Sequence, residues 1–110
     1  MAWTEGFADR IRDVIFERSG VTEKKMFGGI AWMVEGNMAV GIWDDDGLMV
    51  RMAKEDTEAA LAEPGVVPME MKGRRMNGFV IVEAELTADD EALAEWIDSG
   101  ASFAESLPPK

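Results

Sequence analysis

Three apolar runs separated by short polar turns leave the middle of this chain few ways to fold. Read by alternation, one phase carries Ile30, Trp32 and Val34, then Met38, Val40 and Ile42, then Leu48, Val50 and Met52. Successive side chains of a strand point to opposite sides, so this phase makes one complete hydrophobic sheet face. The opposite phase carries Ala31, Met33, Ala39, Gly41, Trp43, Met49 and Arg51, which is also largely apolar but built from small residues and methionines. Strands are expected over 25–34, 38–43 and 48–52, with turns at Gly36-Asn37 and from Asp44 to Gly47. The Asp46-Gly47 pair is a strong hairpin signal because both residues tolerate positive φ. Gly28-Gly29, inside the first run, reads as a bulge. A phosphate-cradling loop would place a helix N-terminus after the glycines, and Ile30 to Val34 is strand instead.

Helical periodicity brackets this sheet. Thr4 is a natural N-cap, and Trp3, Phe7, Ile11, Val14 and Ile15 follow as one apolar stripe. Asp9 with Arg12 and Arg10 with Asp13 are expected to pair at i,i+3, and Gly20 to cap the end. A short helix from Lys54 to Ala62 is stopped before Pro64. Two further strands are expected over 68–72 and 78–82, with Gly73, Arg74 and Arg75 in their connection. Thr87 to Asp90 opens a last helix carrying Leu93, Trp96, Ile97, Ala101, Ala104 and Leu107, which Gly100 is expected to kink or divide. Trp96 is expected to be buried and to fasten that helix. The order α-β-β-β-α-β-β-α predicts a two-layer α+β fold with a mostly antiparallel sheet, in a single domain over residues 1–110.

What the chain can do chemically is narrowed by what it lacks. Without cysteine or histidine there is no thiolate nucleophile, no zinc–thiolate site and no imidazole base or ligand. Asp44-Asp45-Asp46 resembles the start of a calcium loop, but Leu48 and Val50 stand where further oxygen ligands belong, so an acidic hairpin tip is expected. Glu83, in phase with Phe79 and Ile81, is a partly buried carboxylate without a partner nucleophile; Glu70 and Glu85 add none. No enzyme, no metal and no cofactor is expected. The formal net charge of −11 opposes phosphate backbones, so no direct nucleic-acid binding is expected. No apolar run approaches the ~20 residues of a membrane span, and no signal peptide opens the chain, which predicts a cytoplasmic protein without membrane contact.

Two features are left as candidates. Arg51 stands alone among apolar strand residues, and Lys72, Arg74 and Arg75 fall within four positions; either could hold an anionic small ligand. The chain also has nine methionines, a residue over-used on surfaces that accept varied partners. Ala31, Ala39 and Gly41 with Met33, Met49 and Trp43 around them are expected to form an uncovered second sheet face that a partner protein or a second copy covers.

The stretch Lys24-Lys25-Met26-Phe27-Gly28-Gly29, the turn and strand from Gly36 to Ile42, Leu48-Met49-Val50-Arg51 and Leu107-Pro108-Pro109-Lys110 resemble the N-terminal domain of the TfoX/Sxy family. The resemblance implies a fold grouped with secretion-chaperone-like domains. It also implies a setting in bacterial transcriptional regulation, where full-length relatives govern natural competence with the cyclic-AMP receptor protein and carry a second, helical C-terminal domain. This chain is expected to be a stand-alone form lacking that second domain. The function expected is a non-catalytic interaction domain forming a homodimer or binding a protein. Its candidate contact residues are Lys25, Phe27, Gly28, Gly29, Met33, Trp43, Met49, Arg51, Arg74 and Arg75.

Overall fold

The computed structural model describes residues 3–26, 28–42 and 47–110. Phe27, Trp43 and the acidic tip Asp44 to Asp46 therefore lie outside the described residues. The first helix, α1 (Glu5–Ile15), starts as its sequence dictates: the Thr4 hydroxyl accepts from the Phe7 N–H at 3.3 Å. Its inner face buries Phe7, Ala8, Ile11 and Ile15. Strands β1 (Val21–Met26), β2 (Gly29–Val34), β3 (Asn37–Ile42) and β4 (Leu48–Arg51) follow.

The run expected as one strand from residue 25 is therefore a hairpin. Met26 pairs with Gly29, and Gly28 sits at φ +78, a conformation that costs glycine nothing, so the glycine pair turns the chain rather than bulging it. β1 lies at an edge of the sheet, where the polar run Thr22 to Lys25 is tolerated because one flank faces solvent.

After β4 the chain forms a short 3-10 turn (Lys54–Asp56), α2 (Thr57–Leu61), β5 (Val66–Met71), β6 (Arg74–Val82), α3 (Ala84–Thr87) and α4 (Asp90–Glu105). The result is one six-stranded antiparallel sheet of order β1-β2-β3-β4-β6-β5 with helices against it, the α+β class expected, with one strand more. Arg74 and Arg75 belong to β6 rather than to the connection, because the reversal is made by Lys72 and Gly73, both at positive φ.

Two cross-strand rows form the helix-covered face. One runs Ile30, Ile42, Leu48, Val82, Val66, and the other Trp32, Val40, Val50, Val80. They share one core with Ile11 and Ile15 of α1 and with Leu93, Ile97, Ala101 and Ala104 of α4. Met38 does not join it. Trp32 pairs with Val40 but Met33 pairs with Met38, so Ala39 is an extra residue and the alternation slips there. Asn37 turns inward in place of Met38, only 2% exposed, and its amide donates to the Pro108 carbonyl at 3.0 Å. The Lys110 N–H donates to the Glu35 carbonyl at 2.9 Å, which ties the C-terminal tail to the β2–β3 turn.

α4 begins one element later than expected. Asp89, accepting from the Ala92 N–H at 2.9 Å, is its cap, whereas Thr87 ends α3 and is buried. Glu83 stands exposed just before α3, so the half-buried strand carboxylate does not exist. Gly100 neither kinks nor divides α4. A Cβ there would sit 2.6 Å from the Ala39 carbonyl oxygen, so the glycine is what lets the helix lie directly on β3. Trp96 is half-buried against the core; among the described residues the fully buried tryptophan is Trp32.

Candidate functional site

The sheet face away from the core is read from one row that crosses all six strands: Lys24, Ala31, Gly41, Met49, Ile81, Val67. Its middle is closed within the single chain. Ala31 and Met49 are 0% exposed and Gly41 is buried, so the centre of this face is no open patch, and Ala39, expected on it, belongs instead to the helix-covered core. Met49 has side-chain-free Gly41 on one side and Ile81 on the other, which leaves room for a flexible thioether in the row. Apolar surface remains around that centre. Met33 and Met38 pair with each other and are half-buried, as are Phe79 and Ile81, while Val67 is 36% exposed.

Arg51 pairs with Phe79 at one end of this face. Its guanidinium carbon lies 5.5 Å from the Phe79 ring centre and 5.7 Å from that of Phe103 on α4. The charge is half-buried and rests on two π faces, with no carboxylate in salt-bridge range among the described residues.

The other candidates are not brought together. Lys25 stands over the Trp3 ring at 5.9 Å, Gly28 is exposed in the first turn and Gly29 is buried at the start of β2. Arg74 and Arg75 are exposed at the opposite end of the strand order, facing Met71 and Glu70 across the ladder, and Arg75 lies 3.6 Å from Glu58. With β2, β3 and β4 between them, Lys25 on β1 and Arg74 and Arg75 on β6 make no common anion site.

The most connected polar cluster was missed in the sequence. Arg12 donates to both carboxylate oxygens of Glu23, at 2.8 and 2.9 Å, and to Asp9 at 2.7 Å and Glu5 at 3.1 Å. The indole N–H of buried Trp32 donates to the same Glu23 at 2.9 Å. Only the Asp9–Arg12 pair is local enough to be read from spacing. Arg10 does not pair with Asp13; it reaches Asp90 at 2.8 Å and the Thr87 carbonyl at 2.7 Å. Arg18 bridges to Glu105 at 2.9 Å. All three arginines fix helices in place rather than offering charge to a ligand.

The hydrogen bonds from Arg12 hold the Glu23 carboxyl below its ordinary range; burial opposes them less strongly, and the bond from Trp32 adds a lesser downward effect. A carboxyl depressed in the folded state adds stability that is complete above its unfolded pKa and is lost as pH falls through the folded one. Acidification below the usual glutamate range should therefore weaken the α1–β1 contact. Urea midpoints measured against pH should fall more gently for Glu23→Gln than for the wild type in that window. Identical slopes would show that the cluster adds nothing to folding.

No group of three acidic side chains among the described residues could hold a metal ion, and no helix among them is long and apolar enough to cross a membrane. Against this geometry, the sequence matches the TfoX N-terminal domain over residues 15–104, which takes in all six strands and nearly all of α4. The chain belongs to that family. The TfoX N-terminal domain family is not known to be catalytic. No curated protein matches the chain in sequence. In this TfoX N-terminal domain, the stretches that carried the resemblance fall at the β1–β2 turn, β3, β4 and the tail whose Pro108 carbonyl accepts from Asn37.

Proposed function

We propose that this TfoX N-terminal domain is a non-catalytic interaction module that pairs with a second copy of itself through the sheet face turned away from the helices. The observation that carries the reading is the apolar rim of that face, with Val67 36% exposed and Ile81, Phe79, Met33 and Met38 half-buried. A second copy suits it better than a charged partner. None of these rim residues carries a carboxylate, and the charges at the margins of the rim are the cations Lys24 and Arg51, so on a chain of net charge −11 a two-fold contact there keeps the acidic helices of both copies on the outside. Covering such a rim gains roughly 25 cal/mol per Å² before association costs are subtracted. The setting is bacterial transcriptional regulation, exercised through protein contact and not through DNA, because the acidic surface repels phosphates. An anion held by Arg51 is the weaker reading, since that guanidinium is already stacked on Phe79 and Phe103.

Sedimentation equilibrium tests the pairing. The wild type should approach twice its 12.1 kDa chain mass, and Val67→Glu should weaken the dimer at least about tenfold with an unchanged circular dichroism spectrum. A wild type that stays monomeric at millimolar concentration would overturn the proposal.

A further inference from the structure

In the helix layer, away from the sheet rim, α3, α4 and the turn after α2 enclose an open groove of about 390 Å³. Leu86, Ala92 and Trp96 are half-buried in its wall, and exposed Glu63, Glu95 and Ser99 complete the lining. Leu86 and Trp96 are anchored on the core, so the apolar wall is fixed rather than a mobile surface side chain. Neither glutamate has an ion pair or side-chain hydrogen bond among the described residues, and the Trp96 indole N–H has no acceptor there. No basic residue lines the groove, and Arg10 and Arg18, which reach α4 elsewhere, are held by Asp90 and Glu105. From Met76 to Pro109 the chain has eight acidic residues and no basic one.

We infer that this groove receives an arginine side chain from a basic segment of a partner protein. An aromatic face attracts a cation, and a guanidinium can stack on Trp96 while its fork donates to a carboxylate at the rim. The aliphatic stem of the arginine fits the apolar wall beside Leu86 and Ala92. An anion would meet two carboxylates, and a neutral ligand would leave both unused. The groove is partly open to solvent, so it suits a projecting side chain rather than an enclosed small molecule. The net charge of −11 draws a basic segment toward it.

The test uses a capped alanine pentapeptide with a central arginine, titrated into ¹⁵N-labelled protein while the Trp96 indole resonance is followed. The inference predicts a saturable shift that weakens with salt, is absent for the same peptide with glutamate at its centre, and is weakened several-fold by Glu95→Gln. Glu95 is exposed, so that variant keeps the fold, and its unchanged spectrum verifies this. An unmoved Trp96 signal at millimolar peptide, or equal binding by Glu95→Gln, would overturn it. Methylguanidinium alone acting as strongly as the peptide would assign the groove to a small cation and overturn the protein partner. Val67→Glu leaves this groove untouched, so failure here and failure of the dimer are separately visible.

Discussion

Met49→Glu is expected to unfold the domain or leave it barely folded at room temperature. The side chain is 0% exposed although it lies on the face away from the helix-covered core. Its ladder neighbours Gly41 and Ile81 offer a carboxylate no charge, and the Arg51 guanidinium, two residues along the strand, is stacked on Phe79 and Phe103. Leaving one uncompensated charge buried costs roughly 3–5 kcal/mol, which is a large share of the ~5–15 kcal/mol that holds a typical domain. Met49→Leu, which nearly conserves volume, should cost less than about 1.5 kcal/mol. Urea denaturation of both variants checks this. A well-folded Met49→Glu with an unchanged midpoint would mean that the centre of the second face is open after all.

Trp32→Ala is the second large effect. Trp32 is the largest fully buried side chain among the described residues, and its indole links the core to the Arg12–Glu23 pair. Deleting a buried tryptophan to alanine costs about 3–5 kcal/mol through lost burial and the remaining cavity. Trp32→Phe separates the parts: it keeps most of the ring but removes the N–H donor to Glu23, a charged hydrogen bond of roughly 1.5–3 kcal/mol. The same truncation at Trp96, half-buried on a groove wall, should cost distinctly less than at Trp32. Comparable midpoints for Trp32→Ala and Trp96→Ala would contradict the placement of the core.

What the sequence made legible is the part that local physics decides. The α1 cap and stripe, β3, β4 and the apolar phase Ile30, Trp32, Val40, Val50 could be read from spacing because each repeats the period of its element. β1 could not. Thr22 to Lys25 has no apolar alternation, and it is a strand only because β2 offers it a partner across the Gly28 turn. Alternation also cannot count an inserted residue, so the slip at Ala39 sent Asn37 rather than Met38 inward. The Arg12–Glu23 contact, between residues eleven apart, depends on how α1 lies over β1. The second face was legible as composition but not as exposure: its neighbours close the centre around Met49 and leave Val67 and Ile81 at the rim.

The most direct measurement is a dilution series of methyl-labelled protein followed by nuclear magnetic resonance from millimolar to micromolar concentration. Association through the sheet rim predicts that the methyl signals of Val67 and Ile81, together with those of Met33 and Met38, move along one common dissociation curve while those of Leu93 and Ile97 stay fixed. Rim signals that do not move over that range, or movement confined to methyls of the helix layer, would contradict it.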